Sequence, residues 1–479
     1  MNASEKSLDP ENWEELESLG HRMITDLFNQ LRHVRNQPVW QSIPAKQKEK
    51  WKDSLPDLPG NLCAVYEQLQ ESLIPYPTGN GHPRFFAWAD GAGNPVAMLA
   101  ALLAAGMNPN VCAGEQSALY LEQQVISWMK EYLCFPAGAS GVLVSSGSMA
   151  NLTALLVARN NYSKVIRQNG LSTLDGQLVL YTSVETHSCI DKAADIMGLG
   201  RNAVRRIEVN DKFQIDLRKL ESRIKKDRAE GFIPFCIVAT VGTVNTGAVD
   251  PLRELASLCQ QEQLWLHIDG AYGAWAAAED GPVKQEDISL ADSLSFDMHK
   301  WIHIPFAVGC TLIKNRLLHR ETFEVQADYL VRHERGLFSG PDMIADYGID
   351  MSRGFKSLEI WMTIKTYGIS QLRQLIRQNM EQAIYAAALI INEPALELMA
   401  PVTLNVVCFR FIADPDKTNA INREILMRLQ EDGTASLSYA MLNGSYCLRA
   451  MVMNHRTQRT DLDILIKEVL KIGSALVAV

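Results

Sequence analysis

The 479-residue chain has no long apolar run. Its longest, Val96 to Met107, falls well short of the ~20 residues that a membrane-crossing helix needs. Nor does it start like an exported protein: MNASEKSLDPENWEELE is acidic and lacks an apolar core, so no signal peptide is expected. The nine cysteines, at 63, 112, 134, 189, 236, 259, 310, 408 and 447, form no CxxC pair. Such an odd, dispersed set argues against a disulfide frame or a zinc site and for reduced thiols. Basic residues are in deficit, 46 Lys plus Arg against 55 Asp plus Glu for a formal net charge of −9, so a nucleic-acid-binding face is not expected. GxSxG, GxxxxGK[ST], HExxH and a GxGxxG after the first strand are all missing, which removes the usual support for serine-hydrolase, nucleotide-triphosphatase, zincin and dinucleotide chemistry. These absences leave a cytoplasmic protein with a small-molecule partner and no nucleic-acid or membrane role.

What is present is the composition of a folded chain, 47% hydrophobic and 21% charged. Residues 1–85 read as a helical segment. Asn12 to Arg35 carries apolar residues at near-helical spacing, and Pro38, Pro44, Pro56 and Pro59 then break the pattern. This segment is too polar to form its own core and is expected to pack on a second subunit. Residues 86–365 form the large unit. From Gly141 onward GVLVSS, QLVLYTS, FCIVAT, LWLHID, SLSFD and VGCTLI read as short strands separated by helices. That alternation predicts βαβ units and a mostly parallel sheet covered on both faces. Residues 366–479 are expected to form a smaller α/β unit, with strands in LNVVCFRFI and SYCLRAMVMN and a closing amphipathic helix over Thr460 to Ile472.

In such sheets ligands bind beyond the carboxyl ends of the strands. Four candidates stand there. SSGSMAN (Ser145 to Asn151) puts Gly147 and Ser148 at a helix start, where unpaired N–H groups suit a phosphate; a plain serine cap is the bland alternative. In LHIDGAYG, Asp269 ends an apolar strand, where a carboxylate is costly unless it meets a cation or several donors. In SFDMHKW, Lys300 follows a strand among apolar neighbours, where desolvation would lower its pKa as an amine nucleophile requires. His187, in VETHSC, follows another strand. An anion cradle, an imidazole able to stack, a carboxylate and an amine together suit pyridoxal 5′-phosphate, which presents a phosphate, a pyridine nitrogen and an aldehyde.

With those residues in place, the sequence resembles the group II pyridoxal-phosphate-dependent amino-acid decarboxylases over roughly Pro75 to Ile472. The motifs that carry the resemblance are HPRFFAW, SSGSMANLTAL, THSCIDKAADIMGLG, HIDGAYG, SFDMHKW and LRAMVMNHRTQRTDLD. It implies the aspartate-aminotransferase type of fold (PLP fold type I) and a homodimer whose N-terminal segment wraps the partner. It also implies that Lys300 is joined to the cofactor and that His187 stacks on its ring. Asp269 would pair with the pyridine nitrogen, Ala271 pack beneath the ring, and Gly147, Ser148 and His299 hold the phosphate. Gln326 to Asp346 resembles a catalytic loop, in which Tyr329 would protonate the α-carbon.

Departures from the family pattern are Val244, where many members carry a second threonine, and Asp297, where aromatic-type members carry asparagine. For the substrate, Trp88 with GIDMSRGFKSLEIW suggests an aromatic amino acid, whereas HPRFF and MNPNV resemble the glutamate and cysteine-sulfinate enzymes. Met351 would shorten the pocket. Phe86 and Arg353 are expected at the substrate, with Arg84 or Arg353 as the cation for an acidic side chain or else as half of a structural ion pair. Decarboxylation of an aromatic L-amino acid is the favoured expectation. Decarboxylation of an acidic amino acid, or another pyridoxal-phosphate reaction (aldehyde synthesis, transamination, lyase), is the alternative.

Overall fold

The computed structural model describes residues 6–278, 281–325 and 333–478. Twelve strands are found among them: β1 (Phe85–Phe86), β2 (Ser140–Val144), β3 (Leu178–Ser183), β4 (Val204–Ile207), β5 (Ile233–Thr240), β6 (Trp265–Asp269), β7 (Ser293–Asp297), β8 (Gly309–Ile313), β9 (Leu396–Leu398), β10 (Val406–Phe411), β11 (Ser436–Leu442) and β12 (Ser445–Met451). The strand order of the larger sheet is β2-β8-β7-β6-β5-β3-β4. Only β8 runs antiparallel to its neighbours. Every residue of β3, β6, β7 and β8 is buried, as expected of strands covered on both faces. Phe235, Ile237, Leu266, Ile268, Leu294 and Phe296 supply part of that core, into which the helix Gly147–Tyr162 also packs.

The smaller sheet has the order β1-β11-β12-β10-β9. Its first strand is a surprise, because Phe85 and Phe86 pair in parallel with Ser436 and Leu437, about 350 positions downstream. Phe86 is fully buried in the second core, among Leu437, Phe409, Leu448 and Val469. The long helix expected near Phe355 is Lys356–Ile391, kinked at Gly368, whose φ of 71° only glycine adopts readily. The N-terminal helix Trp13–His33 is capped by Asn12, whose side chain accepts from the N–H groups of Glu14 and Glu15. It buries only Leu19 and leaves Trp13, Leu16 and Leu27 exposed. No helix of the described residues is long and apolar enough to cross a membrane.

The register aligns the carboxyl ends of the central strands. Thr240 pairs with Asp269, and Asp269 with Ser295, so the segments leaving β5, β6 and β7 emerge on one edge.

Candidate active site

At that edge β2 leads into the helix Gly147–Tyr162, whose cap Ser146 accepts the N–H of Met149 through its side chain at 3.5 Å. The first-turn N–H groups have no intrahelical acceptors. Gly147 is required here by contact and not by backbone conformation, because a Cβ would lie 2.5 Å from the Asp297 Oδ2. That carboxylate ends β7, is 2% exposed and wedges between Gly147 and Gly309. Its Oδ2 lies 3.0 Å from the Lys300 Nζ, and its Oδ1 is buried without a hydrogen-bond partner.

Asp269 is 3% exposed and accepts the N–H of Ala271 at 3.2 Å. Burial raises its pKa; the charges of Lys300 and His187 oppose that shift. Burial lowers the pKa of His187, opposed by Asp269. The three groups are thus close enough for their charges to act on one another. The His187 Nδ1 accepts the N–H of Cys189 at 3.1 Å, so a neutral ring carries its proton on Nε2. His299 lies against Phe306 with ring centroids 4.5 Å apart, and its Nδ1 meets the backbone of Val308 at 3.0 Å. Burial lowers its pKa, with the Asp297 charge acting the other way.

Lys300 departs from expectation. Burial does push its pKa down, but the carboxylates of Asp297 and Asp269 outweigh that, and the net direction is up. In this chain the free amine is held as a cation. Two expectations for the substrate pocket fail as well. Phe86 is sealed in the core of the smaller sheet and has no surface to offer a substrate. Arg353 is committed: its guanidinium donates to Glu122 Oε1 at 2.6 Å, to the Leu143 carbonyl at 2.6 Å and to the Val111 carbonyl at 2.8 Å. Arg84 likewise donates to the Thr434 carbonyl at 2.7 Å and lies 3.6 Å from Asp461. Both are structural clasps. Tyr329 lies outside the described residues. Trp88 is 55% exposed, with its ring edge-on to Phe85.

Two features of the site have little or no signal in the sequence. Gly91 runs so close to the Lys300 backbone that a Cβ would meet the carbonyl oxygens of His299 and Lys300 at 2.1 and 2.4 Å. Its neighbour Asp90 is within electrostatic reach of the site: burial raises its pKa and the charges of His299 and Lys300 lower it. Next to His187 in sequence, Thr186 belongs to a hydroxyl ladder with Thr182 and Thr240, with Thr186 and Thr240 3.0 Å apart and Thr182 donating to the Val238 carbonyl at 3.0 Å. Only the run of threonines near strand ends hints at it.

Comparison with known proteins gives matches over nearly the whole chain. The pyridoxal-dependent decarboxylase conserved domain matches residues 44–412. An aromatic-L-amino-acid decarboxylase of Bacillus atrophaeus is 34% identical over 457 residues, covering 94% of this chain and 93% of its own. Tyrosine decarboxylase 4 of Petroselinum crispum is 31% identical, covering 92% and 89%. A crystal structure of Oryza sativa TDC with PLP and tryptamine superposes with a TM-score of 0.89 at 23% identity, over 98% of this chain and 100% of that one.

Proposed function

Since the chain belongs to the pyridoxal-dependent decarboxylase family and is a pyridoxal-phosphate-dependent amino-acid decarboxylase, we propose that its substrate is an aromatic L-amino acid, released as the amine and carbon dioxide. The observation that carries the choice of substrate is the commitment of Arg353 and Arg84 to buried partners. An acidic side chain would find neither of these two cations free, and would face the carboxylates of Asp269 and Asp297 whose charges act on one lysine. The exposed indole of Trp88, three residues before Gly91, offers an aromatic ring a partner instead.

The residues fit the cofactor. The helix start at Gly147 and Ser148 suits a phosphate, assisted by His299. The buried Asp269 gains from a protonated ring nitrogen that relieves its burial. Ala271, whose N–H already fixes the Asp269 carboxylate, is small enough to lie beneath a flat ring, and His187 would cover its other face. Lys300 would hold the aldehyde through its amine. When bound, pyridoxal phosphate accepts into its ring the electron pair left as the substrate carboxylate departs. Asp269 holds the charge that makes this favourable. His187 keeps its proton on Nε2, on the ring side away from Cys189. Tyr329 is the proposed proton donor to the α-carbon.

The exposed apolar residues Leu99, Leu102, Leu103 and Met107 on the helix Pro95–Met107, with those of the N-terminal helix, support a homodimer. A division at residues 85 and 365 into an N-terminal segment, a large domain and a small domain, and a cytoplasmic location with reduced thiols, complete the proposal; all nine cysteines are free.

The test is a panel of L-amino acids offered to the purified protein while carbon dioxide and products are measured. Tryptophan, tyrosine or phenylalanine should give equimolar gas and amine, and Lys300→Ala should abolish both. Release from glutamate or cysteine sulfinate alone would overturn the substrate assignment. Ammonia and peroxide, or keto acid without gas, would overturn simple decarboxylation.

A further inference from the structure

His267 has no part in the chemistry so far, yet it is a fully buried polar ring in the middle of the main sheet. Burial pushes its pKa down to about 3, so it is neutral. It sits on β6 two residues before Asp269, on the same face of the strand. Its Nε2 meets the Asn151 Oδ1 at 2.7 Å and its Nδ1 meets the Ser293 Oγ at 2.8 Å. The Trp265 Nε1, which can only donate, gives its hydrogen to that same Ser293 Oγ at 2.7 Å. Asn151 is itself 1% exposed and lies one turn after Gly147 and Ser148 in the helix that starts at the site. Its amide donates to the Cys189 Sγ at 3.4 Å, and Cys189 is the residue whose backbone N–H holds His187.

A single buried chain thus joins three elements. It fastens the strand that carries Asp269 to the helix whose start faces the phosphate, and it fastens that helix to the turn that carries His187. A bound cofactor would span the first two, held at its phosphate by one and at its ring nitrogen by the other. An error of about 1 Å in that span would leave one end unsatisfied. A core position of this kind would ordinarily be filled by an apolar side chain, because a buried polar group is neutral at best unless every partner is present.

We propose that His267 and Asn151 form a positioning pair that sets the distance between the two cofactor anchors, Asp269 and the Gly147–Ser148 helix start. The pair touches neither cofactor nor substrate. The proposal rests on the assignment of those anchors made above.

The consequence is specific to ligands that use both ends. Pyridoxal 5′-phosphate engages both anchors, whereas pyridoxal reaches Lys300 and Asp269 but has no phosphate. The ratio of their affinities, read from lysine-bound absorbance during titration of the cofactor-free protein, reports how well the two anchors act together. His267→Leu should lower that ratio about tenfold, the equivalent of one broken hydrogen bond in a fixed geometry. His267→Gln should retain most of it, because a glutamine amide presents one acceptor and one donor much as the neutral ring does. A merely structural role for His267 predicts equal weakening of both ligands and an unchanged ratio, and that result would overturn the proposal. If His267→Leu does not fold, Asn151→Ala breaks the same tie from the other side and should give the same fall. Absence of any Lys300-dependent absorbance in the wild-type protein, with Lys300→Ala indistinguishable from it, would instead overturn the anchor assignment itself.

Discussion

Asp297 decides the state of the lysine in the cofactor-free protein. Its carboxylate lies 3.0 Å from the Lys300 Nζ, and it is the strongest of the charges that raise the lysine against the effect of burial. Lys300 must lose a proton before it can attack an aldehyde. Asp297→Asn keeps the shape between Gly147 and Gly309 but removes the charge, so the fraction of neutral amine at pH 7–8 should rise. We expect capture of pyridoxal, which has no phosphate to complicate the comparison, to be about tenfold faster in Asp297→Asn, in line with the roughly one to three pKa units that a close opposite charge is worth. Rates measured by absorbance across pH 6–9 check this. An unchanged rate would mean that the ion pair does not hold the amine. The contrast between Lys300 and Arg353 shows what sequence can convey about single residues. Lys300, Asp269 and His187 are legible because strand-end placement is local. The Arg353 partner, Glu122, lies 231 positions away, and nothing local distinguishes a buried clasp from a free cation.

Among elements, the strands are the easiest to read and the edges the hardest. FCIVAT and LWLHID are largely apolar or β-branched, SLSFD alternates apolar with polar residues, and they form β5, β6 and β7 at nearly the expected bounds. β4, with the sequence VRRI, and β1, only two residues long, give no such pattern. The first carries two arginines, and the second exists only because Ser436 and Leu437 lie beside it. That pairing is why Phe86 belongs to a core and not to a pocket. The helix Pro95–Met107 poses the opposite question, since its apolar residues are obvious and Ala97 and Ala100 are buried, yet among the described residues its outer face stays uncovered. Leu102 and Leu103 are 55% and 54% exposed. If a second copy covers this helix, Leu102→Glu with Leu103→Glu should convert a dimer into a monomer in light scattering, with the helical content by circular dichroism retained. A wild-type chain that is monomeric at micromolar concentration would remove the dimer proposal.

For the molecule as a whole, the buried histidines set a limit on acid tolerance. His82, His267, His303 and His319 are each at most 3% exposed. Burial lowers the pKa of all four, to about 4 for His82, to about 3 for His267 and His319, and well below the ordinary value for His303. In the unfolded chain each would titrate near about 6.5, so below that pH the unfolded state binds protons that the folded state refuses. Stability is therefore complete above about pH 6.5 and is lost as the pH falls, by roughly 1 kcal/mol per histidine by pH 5.5. The buried Asp250 works against this. It accepts from the N–H groups of Ile215 and Thr240, yet burial still raises its pKa to about 6, so its contribution improves as the pH drops through that value. Asp250, like Asp90 and Asp269 whose pKa burial also raises, offsets part of what the histidines lose over this interval. Urea unfolding midpoints should fall steadily from pH 7 to pH 5.5, and His319→Gln should flatten the fall, because His319 lies away from the site, against Ser140, Phe323 and Tyr347. A midpoint that holds or rises on acidification to pH 5.5 would mean that these rings take up protons within the folded protein, and that the core around them is not closed to water.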